Sequence, residues 1–112
     1  MRAITQQEFG GPEVLEIIEV DPPTPLITEV LVAVRAAGLN PVEVAVRSGA
    51  FPLLGKPPFV LGWDLSGVVT EVTSGVSRFE VGDEVYGMPL FPRPAGTYAE
   101  LVAAPSRQLA RK

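Results

Sequence analysis

Short apolar runs, each bounded by glycine or proline, follow one another along the chain. Punctuation of this kind ends helices early and bounds strands, so the pattern argues against a helix bundle. The clearest run is "TEVLVAVRAAG", residues 28 to 38. Val30, Val32 and Val34 fall on one face, and Leu31, Ala33 and Arg35 on the other. Both faces are mostly apolar, which predicts a central strand. Arg2 to Gln7 reads as a first strand, "GGP" at 10 to 12 as a turn, and Val14 to Val20 as a second strand. "PPTP" at 22 to 25 blocks extension of that strand. "SGVVTEVTSG", 66 to 75, reads as a strand entering a turn, while "DEVYG" (83 to 87) and "TYAELVAA" (97 to 104) read as two more. "FPLLGKPPFVLG", 51 to 62, reads as an irregular loop.

One helix is expected. In "NPVEVAVRSG", Asn40 takes the N-cap, Pro41 the first helical position and Glu43 the third, a start resembling a capping box. Gly49 ends the helix in the left-handed conformation. The β-branched valines oppose this helix mildly. The predicted architecture is therefore mainly β: a partly open β-barrel with one or two short helices. A dinucleotide-binding sheet needs alternating strands and helices with a glycine-rich first turn. No G-x-G occurs in this sequence, so the main binding domain of a nucleotide cofactor is not expected within it.

Composition narrows the classes further. The chain has 112 residues, one domain's worth, and 46% of them are apolar, enough for a packed core. A net charge of −4 argues against nucleic acid as a partner. "MRAITQQEFGG" lacks the apolar core of a signal peptide, and no apolar run approaches the ~18 residues of a membrane span. The expectation is a cytoplasmic domain without a membrane partner; a homo-oligomer is left open. Cysteine and histidine are both absent, which excludes disulfides and the usual zinc ligands.

Four stretches, "GLNPVEVAVRSG", "FVLGWDLSGVV", "GVSRFEVGDEVYG" and "GTYAEL", occur in that order and spacing. Together they resemble the N-terminal GroES-like catalytic domain of the medium-chain dehydrogenases/reductases, in particular the zinc-independent quinone oxidoreductases. The resemblance covers nearly the whole chain, residues 1–112. It implies a two-domain enzyme in which this domain supplies one wall of the cleft and a Rossmann domain, absent from this chain, binds NAD(P)H. The chain is then expected to be a fragment, to be inactive alone and to bind no NAD(P)H alone. The implied activity is NAD(P)H-dependent reduction of quinones or α,β-unsaturated carbonyls. The alternative is a free-standing GroES-like module, without enzymatic activity, serving interaction or regulation or pairing with a partner's Rossmann domain.

The resemblance also assigns candidate residues. Asn40 stands where zinc-dependent relatives carry a catalytic cysteine, Trp63 where they have histidine, and Asp64 in place of their glutamate, so no zinc is expected. Without a metal, Asn40 is the catalytic and cofactor-contacting candidate. Its NH₂ can donate to a substrate oxygen, while its side-chain oxygen can cap the helix. Trp63 either stacks on a flat substrate or is a core tryptophan. Tyr86 and Tyr98 either donate hydrogen bonds to substrate or pack within strands. The loop 87 to 96, with Phe91, either shapes the substrate pocket or simply covers the surface. Asp64 and Arg47 are expected to pair. Ala45 stands where some relatives carry a tyrosine, which removes that route for a proton. In "GVSRFEVGDEVYG", Gly75 and Gly82 are expected in turns, Asp83 on nearby backbone amides, and Phe79 plugging the barrel.

Overall fold

A computed structural model describes residues 1–112. Eight strands form two antiparallel sheets: β1 (Arg2–Gln6), β2 (Leu15–Glu19), β3 (Glu29–Ala36), β4 (Phe59–Val60), β5 (Leu65–Val72), β6 (Glu84–Gly87), β7 (Leu101–Pro105) and β8 (Leu109–Arg111). One helix, α1 (Pro41–Ser48), follows β3. The smaller sheet has the order β2-β1-β4 and the larger β7-β3-β5-β6-β8. The fold is mainly β, as expected, and no continuous strand ladder closes it into a complete barrel.

The expected alternation places the core. Val30 and Val32 of β3 are fully buried, and β5 buries Leu65, Gly67 and Val69 in step with them. Val30, Val32, Leu65 and Val69 form one cluster with Val85, Val102, Ala104 and Leu109, into which Phe79 also packs. Each fully buried side chain of this size contributes about 1.5–3 kcal/mol. β3 is interior, paired with β5 on one edge and β7 on the other. Gly67 permits the β3–β5 approach: a Cβ there would lie 2.2 Å from the Ala33 carbonyl oxygen.

Several boundaries differ from the sequence reading. Val14 belongs to a 3₁₀ turn over Pro12–Val14, so the second strand starts at Leu15. Proline at the first turn position presets that tighter start. The expected loop over 51 to 62 contains β4, whose two residues pair with Thr5 and Gln6. The expected strand over 97 to 104 is regular only from Leu101. Residues 97 to 100 instead stitch the sheets together. Tyr98 accepts from the Ile4 N–H and donates its own N–H to Leu61, and Ala99 bridges Ala3. β8 and the 3₁₀ turn before it, Ser106–Gln108, add an element that the pattern did not announce.

The 75 to 87 stretch is a corner, as expected. Gly75 and Gly82 have φ of 87° and 98°. Asp83 accepts the Glu80 N–H at 3.0 Å and the Arg111 guanidinium at 2.9 Å.

Candidate active site

The head of α1 is where polar groups converge. Asn40 has the extended backbone of an N-cap (φ −117°, ψ 156°), and its carbonyl accepts the Glu43 N–H at 3.1 Å. Its side chain makes no cap bond. Instead Nδ2 donates to Glu43 Oε1 at 3.2 Å and to Asp64 Oδ2 at 3.1 Å. The expected division, oxygen for the cap and a free NH₂ for substrate, is therefore corrected: the NH₂ is engaged by two carboxylates. The physical reason is that carboxylates only accept, so the donor end of the amide must face them. The C-terminal expectation holds, with Gly49 at φ 90°.

Two further contacts clamp the loop leading into the helix. The Gly38 N–H donates to Asp64 Oδ1, and the Tyr98 hydroxyl donates to the Gly38 carbonyl at 3.2 Å. A Cβ at position 38 would collide with the Asp64 carboxylate. Burial, then the negative charges of Glu43 and Asp64, push the Tyr98 phenol up to about 12. Glu43 is 3% exposed, and its Oε2 has no partner within the chain. Arg47 does not pair with Asp64. Its Nε reaches the Gly10 carbonyl at 3.1 Å, because the helix carries it to the far end from Asp64.

Asn40, Glu43 and Tyr98 line a cavity of about 450 Å³ whose apolar walls include Leu39, Val44 and Leu61. That volume lies in the range of small-molecule sites. Tyr86 is not part of it. Half exposed, it lines a separate hollow of about 540 Å³ with Gly38, Asp64, Ser66 and Met88. Trp63 is 1% exposed, and its indole N–H donates to the Arg93 carbonyl at 2.7 Å. It packs with Val46 and Leu61, so the cleft-lining reading of Trp63 gives way to the core one. Phe91 meets Trp63 edge-on at 5.3 Å and stays 45% exposed. The structure thus brings Asn40 together with Glu43, Asp64 and Tyr98, and holds Trp63, Phe91 and Tyr86 elsewhere. Glu43 at i+3 from Asn40 was the local signal for this cluster, and Asp64 was pointed to only through the resemblance. No group of three or more His, Cys, Asp or Glu side chains is placed to hold a metal ion, and no helix is long and apolar enough to cross a membrane.

The family pattern described as the alcohol dehydrogenase GroES-like domain matches residues 27–112. The chain belongs to that family. This GroES-like domain is 44% identical over 101 residues to the quinone oxidoreductase of Rattus norvegicus, covering 89% of this chain and 30% of that one. It is 38% identical over 120 residues to the chloroplastic NADPH-dependent alkenal/one oxidoreductase of Arabidopsis thaliana, covering 100% of this chain and 31% of the relative. The solved quinone oxidoreductase from Coxiella burnetii superposes with a TM-score of 0.90 at 37% identity, covering 100% of this chain and 37% of that one. The chain spans about a third of the length of these relatives.

Proposed function

We propose that this domain forms the substrate-side wall of an NAD(P)H-dependent oxidoreductase acting on quinones or α,β-unsaturated carbonyls. The observation that carries the reading is Asn40 at the mouth of α1, lining an apolar-walled cavity in a chain without Cys or His. Similarity to quinone and alkenal/one oxidoreductases supports the substrate class. The flat apolar part of such a substrate fits against Leu39, Val44 and Leu61, beside Asn40. Tyr98, kept un-ionised at neutral pH, steadies the loop that carries Asn40.

The cofactor reading divides along the molecule. Glu43 and Asp64 flank Asn40 and oppose phosphate at that point by charge, with Arg47 the one cation further along the cavity, and the antiparallel sheets offer no strand, glycine-rich turn and helix to cradle one. A neutral group bearing N–H or O–H donors does fit, since Glu43 Oε2 is a buried acceptor without a partner. On this reading NAD(P)H is held mainly by a separate Rossmann domain and supplies the hydride, while Asn40 and Glu43 meet only its uncharged end.

The test is a chimera in which this chain replaces the corresponding domain of the Coxiella burnetii quinone oxidoreductase. We expect NADPH oxidation that depends on para-benzoquinone or an alkenal, and none from the isolated chain. A chimera that folds and binds NADPH yet reduces neither substrate would reject the reading.

A further inference from the structure

Arg47 lines the same cavity as Asn40, from the last turn of α1. Its backbone and its side chain are both pinned there. The Arg47 carbonyl accepts the Gly10 N–H at 3.1 Å and Gln6 Nε2 at 3.0 Å, and Arg47 Nε donates back to the Gly10 carbonyl at 3.1 Å. Gln6 is fully buried, so the anchor belongs to the rigid part of the molecule. The Nη atoms of Arg47 enter no hydrogen bond and no ion pair within the chain. Glu43, one turn earlier on α1, accepts from Asn40 and makes no ion pair with Arg47. With Nε occupied, the end of the guanidinium still carries two parallel N–H groups, the edge that meets a carboxylate bidentately.

The cavity therefore has two electrical ends. Glu43 and Asp64 stand at the Asn40 end, and Arg47 is the cation at the other. Seven residues of helix separate them by roughly 10 Å. The Arg47 side chain, tilted toward the helix N-terminus as helical side chains are, closes part of that gap. Leu15, Val44 and Leu61 contribute apolar lining. A molecule with an apolar body and one negative end is accepted one way round, repelled at the first end and held at the second.

We propose that Arg47 is a specificity-determining residue: it takes the carboxylate of a planar enone or quinone substrate, so that the uncharged, reducible end of that substrate lies toward Asn40. This rests on the reading of the cavity as the substrate site and deepens it by naming the substrate class, ring-bearing carbonyl compounds with a carboxylate at the end opposite the reducible group. Carboxylate suits the site better than phosphate, because a planar monoanion matches the guanidinium edge and carries less charge toward Glu43 and Asp64.

Benzylideneacetone bearing a para-carboxylate, and the methyl ester of the same compound, form the test pair. In NMR titrations of the 112-residue chain the acid should shift the Arg47 Nε–H signal and bind about tenfold more tightly than the ester. Tenfold is the lower end for a charge-assisted contact, chosen because Arg47 is half-buried and partly screened. Added salt should narrow the difference. Arg47→Gln should bring the ratio to about one, and Arg47→Lys should leave it between the two, since the charge stays and the fork is lost. If Arg47→Gln fails to fold, the wild-type shift and its salt dependence still decide. Equal affinity for acid and ester, or a preference that survives Arg47→Gln, would overturn the proposal. So would inorganic phosphate shifting Arg47 as strongly as the acid at equal concentration, or NADPH displacing the acid, since the cation would then serve another anion. A chimera without reductase activity leaves these titrations standing. A chimera that reduces acid and ester with equal kcat/KM rejects the role of Arg47 and leaves the reductase reading intact.

Discussion

Asn40 was legible as the polar residue at the head of α1, but its contacts were not. The sequence places Glu43 three residues on, yet Asp64 lies 24 residues away and reaches Asn40 only through the fold. A pure N-cap makes Asp as good as Asn. The observed contacts predict otherwise. Asn40→Asp would set a third carboxylate against Glu43 and Asp64 and remove two charge-assisted bonds, each worth about 1.5–3 kcal/mol. We expect the melting temperature to fall by roughly 5 °C or more, and an unchanged melt would return Asn40 to a simple cap. Tyr98 carries a second test. Its folded pKa is raised from 10.0 to about 12, so the unfolded phenol ionises first as pH rises. Its contribution is full below pH 10 and lost between there and about 12. Tyr98→Phe should flatten that alkaline decline and cost about 0.5–1.5 kcal/mol near neutrality, the net worth of its bond to Gly38.

At the scale of elements, legibility followed length. β3 and β5 are eight residues each, long enough for an apolar run to stand out as a strand. β4 and β8 have two and three residues, too few to carry a period, and exist because a neighbouring strand offers a free edge. The segment 97 to 100 looked like strand because its residues suit one. It is instead drawn away from regular pairing by bonds to both sheets. Trp63 was ambiguous in sequence because a tryptophan serves a core or a ring-binding face equally well. Burial and the Arg93 carbonyl decide it. The tight β3–β5 pairing gives an element-level prediction. Gly67→Ala would place a methyl against the Ala33 carbonyl, which is backbone and cannot swing aside. The strands must part locally, at a cost of about 1–3 kcal/mol typical of overpacking. The denaturant midpoint should fall accordingly, with the slope unchanged. A neutral result would show that the sheet flexes there more easily than its pairing suggests.

Across the whole molecule, charged side chains fasten both ends of the chain to residues between 78 and 100. Arg2 pairs with Glu100 at 3.4 Å, tying β1 to the segment entering β7. Arg111 Nη2 reaches Asp83 at 2.9 Å and the Arg78 carbonyl at 2.7 Å, tying β8 to the 75 to 87 corner. The guanidiniums of Arg78 and Arg111 also lie over the Phe79 ring, 5.1 and 5.7 Å from its centre. Asp83 is held below its usual 3.8 first by the Glu80 N–H and then by Arg111. Glu100 is held below 4.5 by the Arg2 backbone N–H and then the Arg2 side chain. Both carboxyls bind protons more readily in the unfolded chain. Their contributions are therefore complete above the unfolded values and disappear as pH falls through the lower folded ones. We expect the melting temperature to drop on acidification below about pH 4.5, with Asp83→Asn removing part of that slope. Arg111→Ala should remove less of it than Asp83→Asn, because the Glu80 amide, the larger cause of the Asp83 shift, survives the substitution. It should also lower stability near neutrality, since β8 loses its ties to Arg78 and Asp83 together. If Arg111→Ala melts like the wild type at every pH, the end of the chain is held by its β6 ladder alone. The charge pair would then be surface ornament of the kind that contributes nothing measurable.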